Sequence, residues 1–286
     1  MNYEGQICRA PMERSAFMLP VMVGCTYNRC KFCNLFRHLK CRELPMEQIE
    51  SELKRVKYLN GNPRKIFLGD GNAFGLKTGH LLEILERIHF YFPECRCINM
   101  DATVSSILRR SGEELRVLHE NGVQQLYIGI ESGLDDVLEF MEKGNNLTQA
   151  EEAIQKLHEY GMVYDAHIMT GVAGKDRGME NAEALAEFLN RTHPKNVVNF
   201  SMFLHNEVPL YQDILAGTFT PADELENLKE ERRLLERLGE HVAENEYGIN
   251  YDGFHDYIQF RVRGVLPRDR EKMLAKLDQE ISFRNY

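Results

Sequence analysis

Apolar residues in this chain come in short runs that alternate with stretches of helical period. Ala16-Phe17-Met18-Leu19-Pro20-Val21-Met22-Val23 is unbroken and ends at Gly24, which predicts a buried strand, although Pro20 has no N–H to give a central ladder. A helical pattern follows from Pro45 through Ile49, Leu53, Val56 and Leu59, closed by Asn60-Gly61. Lys65-Ile66-Phe67-Leu68 predicts a second strand, ending in Gly69-Asp70-Gly71. Leu81, Leu82, Ile84, Leu85 and Ile88 form a helical stripe broken by Pro93, and Cys97 to Met100 begins a third strand. Ser111 to Glu114 reads as a capping box whose helix stops at Asn121-Gly122, ahead of a fourth strand, Gln125 to Ile130. Thr148 to Glu151 reads as another, followed by a fifth strand, Met162 to Met169. A helix through Ala184, Leu185 and Leu189 stops before Pro194, and Asn196 to Phe203 is the sixth strand. Thr220-Pro221 then opens a charged helix to about Leu238, before an aromatic-rich stretch, Tyr247 to Phe260, and a last helix after Pro267.

Six strands alternating with helices predict a parallel sheet with right-handed crossovers, either open and doubly wound or curled into a barrel. In both architectures ligands sit at the C-terminal ends of the strands. The segments Cys25 to Cys33, Gly69 to Gly71, Glu131-Ser132-Gly133 and Thr170-Gly171 all follow strands and are therefore expected on one face.

Composition narrows the class. A chain of 286 residues suits a single α/β barrel with an appendage, and 43% apolar with 28% charged residues is ordinary for a globular protein. No run approaches the roughly 18 apolar residues of a membrane helix. Met1 to Arg14 has no apolar segment of a secretory signal, so a cytoplasmic location is expected and the sequons at Asn146 and Asn190 are chance matches. Seven cysteines, an odd number, fit a disulfide framework poorly and point to metal or redox chemistry. The formal charge of −9 argues against a phosphate-tracking surface, so a small-molecule or protein substrate fits better, the small molecule being the expected partner, and nucleic acid is not expected. A local basic site of Arg261, Arg263, Arg268 and Arg270 remains available to an anion.

Three of the seven cysteines, Cys25, Cys30 and Cys33, fall within nine residues in a C-x4-C-x2-C pattern. Three thiolates on a four-iron cluster leave one iron open to another ligand, an arrangement suited to catalysis. The same cysteines with His38 would make a closed tetrahedral zinc site, and Cys41 is the other nearby candidate for a fourth ligand. A second cluster drawn from Cys8, Cys41, Cys95 and Cys97 has poor spacing.

With a three-cysteine loop after the first strand and glycine-rich or polar residues after later ones, residues 16–205 resemble the radical S-adenosylmethionine (SAM) enzymes, in particular the branch of oxygen-independent coproporphyrinogen III oxidase. The usual spacing in that family is C-x3-C-x2-C, so this loop carries one extra residue. The resemblance implies a partial (β/α)6 barrel of parallel strands over 16–205, an N-terminal extension over 1–15 and a C-terminal helical and aromatic-rich extension over 206–286. It implies a [4Fe–4S] cluster on Cys25, Cys30 and Cys33, with Phe32 near the adenine of SAM and Gly69, Asp70 and Gly71 at the methionine amino group. The remaining SAM contacts would be Asp101, Glu131, Lys143 and His167: a lysine can pair with a carboxylate, and carboxylates accept from ribose hydroxyls. Taken singly, each charged residue reads as an ordinary surface charge and His167 as a core histidine.

The implied mechanism is reductive cleavage of SAM to a 5′-deoxyadenosyl radical that abstracts hydrogen from a substrate, with an electron donor such as a flavodoxin or ferredoxin. An activase that installs a radical on a partner protein and a zinc-binding module without redox chemistry are the alternatives. Tyr247, Tyr251, His255 and Tyr257 are candidate substrate contacts, on aromatic and histidine density alone.

Overall fold

The computed structural model describes residue 4, residues 9–240 and residues 248–284, and eight of its strands are assigned to one sheet. Two compact units share the chain, the first built from Met1–Arg29, Cys33–Ile128 and Glu152–Tyr164, the second from Cys30–Phe32, Gly129–Glu151 and Asp165–Tyr286.

The first unit carries strands β1 (Phe17–Pro20), β2 (Met22–Val23), β3 (Arg42–Glu43), β4 (Lys65–Gly69), β5 (Cys97–Ala102) and most of β6 (Val123–Glu131). Its helices are α1 (Met46–Tyr58), α2 (Thr78–Tyr91), α3 (Val104–Leu108) and α4 (Gly112–Glu120). Strands β1, β4, β5 and β6 lie side by side in that order, all parallel. Ile66, Phe67 and Leu68 of β4 are fully buried, as a strand covered on both faces requires. Pro20 is accommodated because β1 is the edge strand, where a missing N–H costs no ladder bond. The expected first strand breaks at Val21, and β2 turns away to form a short antiparallel clasp with β3. Ser111 caps α4 as expected: its side chain accepts from the Glu114 N–H while Glu114 accepts from the Ser111 N–H at 2.8 Å.

The second unit carries α5 (Asp135–Phe140), the start of α6 (Leu147–Glu159), most of β7 (Val163–Thr170), α7 (Gly178–Thr192), β8 (Asn196–Ser201), α8 (Leu210–Leu215) and α9 (Glu224–Arg237). It closes with β9 (Ile249–His255), β10 (Phe260–Leu266) and α10 (Arg270–Arg284). Strands β7, β8 and β9 are parallel, and β10 returns antiparallel. The aromatic-rich stretch thus adds two strands to the six expected, while Tyr247 lies outside the described residues.

Two helix starts differ from expectation. The box at the head of α6 is Asn146 with Gln149, each side chain accepting the other's backbone N–H at 2.8 and 3.0 Å, rather than Thr148 with Glu151. Helix α9 starts at a capping box of Asp223 and Glu226, three residues beyond Thr220, because a carboxylate at that position reaches the free N–H groups of the first turn. Helix α7 packs against α9, and Leu185, Phe188 and Leu189 of the one and Leu228, Leu234 and Leu235 of the other are buried.

Candidate functional site

In the first unit the cysteine loop rests directly on the end of β4. Gly71 has a left-handed backbone (φ +56°), and a Cβ there would lie 2.0 Å from the Gly24 carbonyl oxygen and 3.0 Å from Cys25 Cα. Only glycine permits that approach. Asn72, buried and adjacent in sequence, ties the assembly: its Nδ2 donates to Thr26 Oγ1 at 2.7 Å and to Thr103 Oγ1 at 3.1 Å, and its Oδ1 accepts from the Thr103 N–H at 3.2 Å. The loop after β2 and the turn after β5 are thereby fastened to the turn after β4. Within the four residues separating Cys25 from Cys30, Asn28 is left-handed (φ +50°) and its amide donates to the Phe36 carbonyl at 3.1 Å. Arg37 donates to the carbonyls of Cys33 and Arg29 at 2.8 and 2.9 Å, so one side chain ties the end of the loop to the longer spacer between Cys25 and Cys30.

Asp101 stands near the end of β5. Burial, reinforced by the charges of Asp70 and Glu13, pushes its carboxyl well above the ordinary carboxylate value. Glu13, fully buried, is itself held by Lys65 at 2.8 Å, Asn99 at 2.7 Å and the Tyr127 hydroxyl at 2.6 Å, a cluster that sequence reading missed.

The second unit supplies the other expected contacts. Lys31 is seated by three elements: its N–H donates to the Met141 carbonyl at 3.0 Å, its carbonyl accepts from the Leu210 N–H at 3.1 Å, and its ammonium pairs with Asp213 at 3.2 Å. Phe32 packs on an apolar cluster that includes Val137, Met141, Val172 and Leu210. Glu131 and Lys143, twelve residues apart, form an ion pair of 2.8 Å with both side chains largely buried. Gly129 makes room for it, since a Cβ there would fall 2.2 Å from Glu131 Oε1 and 2.6 Å from Lys143 Nζ. The signal was a glycine inside a strand, which often marks a close approach. His167 is pushed down to about 4 by burial, with Glu131 opposing and Lys143 adding to the shift, so its imidazole is neutral near pH 7.

Several expectations are corrected. Tyr251 and His255 are buried and already engaged: the Tyr251 hydroxyl donates to Glu231 at 2.7 Å, and His255 sits between Glu224 at 3.1 Å and Glu231 at 2.9 Å. Neither is available to a substrate, whereas Tyr257 is 75% exposed. Three of the four arginines expected to form a basic site are engaged within their own unit, Arg261 by Asp252 at 2.7 Å, Arg268 by Asp269 at 2.8 Å and Arg270 by the Leu238 carbonyl at 2.6 Å, while Arg263 is exposed. Cys95 is sealed in the core, its thiol pushed up by burial, which removes it from any second cluster; Cys8 lies outside the described residues.

Cys25, Cys30 and Cys33 are half-buried and form no disulfide, and thiols are the donor set that iron–sulfur chemistry uses. Among the described residues no three His, Cys, Asp or Glu side chains converge as a site for one metal ion would require; a four-iron cluster makes no such demand, because its thiolates bind separate irons. His38, the proposed fourth zinc ligand, is exposed.

The Radical SAM superfamily model matches residues 19–189. An uncharacterized methyltransferase of Pyrococcus horikoshii is 26% identical over 171 residues, which span 59% of this chain and 35% of that protein. Among solved structures, coproporphyrinogen III oxidase of Escherichia coli superposes with a TM-score of 0.61 at 13% identity, covering 78% of this chain and 52% of the other. The radical SAM methyltransferase TsrM of Kitasatospora setae, solved with cobalamin and a [4Fe–4S] cluster, superposes at 0.57 with 16% identity, covering 71% and 39%. The match thus spans about a third of the curated relative's length, and at these identities the structural likenesses bear on the fold alone. The fold they share is a partial barrel of parallel strands.

Proposed function

The chain belongs to the radical SAM superfamily, and from that premise we propose that it cleaves SAM reductively to a 5′-deoxyadenosyl radical and takes hydrogen from a small-molecule substrate. The family's cofactors are a [4Fe–4S] cluster and SAM, which when bound supply the electron and the sulfur–carbon bond to be broken. Cys25, Cys30 and Cys33 hold the cluster and leave one iron for SAM. The turn from Gly69 to Gly71 receives the methionine amino group against bare backbone. Lys143 meets the methionine carboxylate, Glu131 and Asp101 accept from the ribose hydroxyls, and neutral His167 hydrogen-bonds without adding charge. Phe32, seated on its apolar cluster, covers the adenine and keeps water out. An electron donor such as a flavodoxin or ferredoxin reduces the enzyme.

The observation that carries this reading is the close approach of Gly71 to Gly24 and Cys25, which sets the turn after β4 against the start of the cysteine loop. Anaerobic reconstitution tests it. We expect about four irons per chain, release of 5′-deoxyadenosine on addition of SAM and dithionite, and loss of iron on replacing Cys25, Cys30 or Cys33 by alanine. A colourless protein with stoichiometric zinc would overturn the reading. The curated relative named as a methyltransferase supports a second reading, methyl transfer from SAM. It predicts S-adenosylhomocysteine and a methylated product in the same assay.

A further inference from the structure

Glu131 has a left-handed backbone (φ +65°), a conformation that costs a residue with a side chain about 1–2 kcal/mol and persists only where its surroundings impose it. The two residues after it are clamped to α7. Ser132, fully buried, donates through its hydroxyl to Asn181 Oδ1 at 2.6 Å, and the Gly133 N–H donates to the same oxygen at 3.0 Å. Gly133 lies so close to α7 that a Cβ would stand 2.2 Å from the Leu185 nitrogen. Asn181, itself fully buried, uses the other end of its amide on α9: Nδ2 donates to Glu230 Oε1 at 2.7 Å. Glu230 Oε2 in turn accepts from the Gly171 N–H at 2.8 Å. One asparagine therefore links the turn after β6 to the carboxyl that holds the turn after β7. Its amide has a single workable orientation, since two donors face the oxygen and a carboxyl faces the nitrogen.

We propose that Asn181 is a positioning residue for SAM binding: anchored on Glu230, it holds the Glu131-Ser132-Gly133 turn so that the Glu131 carboxylate, paired with Lys143, is presented to the cofactor. The inference rests on the reading that Glu131 contacts SAM. Asn181 acts through the turn alone. Without it, Ser132 and Gly133 lose their common acceptor, and the left-handed backbone that aims Glu131 is held less firmly.

The test is anaerobic SAM binding by the reconstituted holoenzyme, measured by equilibrium dialysis alongside iron content and thermal midpoint. Asn181→Ala is expected to keep its iron and to raise the SAM Kd about tenfold, a loss comparable to one good hydrogen bond. Asn190→Ala is the control for mere α7–α9 stability: Asn190 also ties α7 to the chain around the end of α9, through the Gly239 N–H at 2.7 Å and the Arg237 carbonyl at 2.9 Å, and its loss should leave the Kd unchanged.

Asn181→Asp discriminates further. It keeps the acceptor for Ser132 and Gly133 but turns a carboxylate oxygen toward Glu230, whose carboxyl is held up at about 7 by burial and Glu231, against hydrogen bonds from Asn181 and Gly171 and the nearby charge of His255. The substitution removes the Asn181 hydrogen bond that lowers Glu230 and adds a carboxylate that raises it further, so at about pH 6 a protonated Glu230 donates to that oxygen and affinity relative to wild type should recover, then fall as rising pH strips the shared proton. An unchanged Kd in Asn181→Ala, an equal loss in Asn190→Ala, or no recovery of Asn181→Asp at the lower pH would overturn the inference. A wild-type holoenzyme that carries the cluster and binds no SAM would instead overturn the reading of function beneath it.

Discussion

Gly129 interrupts an otherwise bulky strand because the space above it belongs to Glu131 and Lys143. In Gly129→Ala the added methyl meets the far ends of two flexible side chains, which can swing aside, so folding stability should stay within about 1 kcal/mol of wild type. The ion pair would be displaced, and SAM affinity should drop by roughly a factor of ten. Denaturant midpoint and SAM dialysis, run on the same preparation, check the two halves; a large loss of stability with normal affinity would contradict the assignment. At this scale the residues legible in the sequence were those that announce themselves by type and place: cysteines in a tight cluster, glycines after a strand. Asn72 and Asn181 announce nothing. Their partners stand 46 and 31 residues away for Asn72, and 49 and 48 for Asn181, and a buried asparagine has no periodic signature.

Helix α9 reads in the sequence as a charged helix, and the structure shows Glu230 and Glu231 buried, turned inward onto a polar network. Charge marks exposure only when no partner waits inside. His255 is that partner. Burial favours its neutral form, but the hydrogen bonds it donates to Glu224 and Glu231 outweigh burial and raise it to about 9. A folded value above the unfolded one means that the stabilisation is complete below about pH 6.5 and is lost as pH climbs through 9. The expected fall in unfolding free energy over that window is up to about 3 kcal/mol. His255→Asn should flatten that dependence and be less stable at neutral pH, because it leaves two carboxylates without a counter-charge. Urea titrations at both ends of the window decide it, and parallel curves for the two proteins would rule the histidine out as the cause.

At the scale of the molecule, compactness does not follow chain order. Residues 165–286 belong to one unit, so the stretch after residue 205 is built into the body that also holds β7, β8 and α7. Strand β9 pairs with β8 from Asn196 to Phe200, and Glu230 holds Asn181 and Gly171. A chain truncated after residue 205 should therefore expose the edge of β8, leave buried polar groups without partners and aggregate. A soluble, cooperatively unfolding fragment in circular dichroism would refute that. By itself the sequence determined the strand and helix alternation, the parallel sheet, the cysteine loop and the glycine turn after β4, because periodicity, capping and backbone chemistry are local properties. Only the tertiary structure decided which polar residues meet: the pairing of Glu131 with Lys143, the seating of the Glu131 turn on Asn181, and the withdrawal of Tyr251 and His255 into the core. Those contacts join distant segments through single hydrogen bonds and close approaches, and their cost or benefit exists only once the chain has packed.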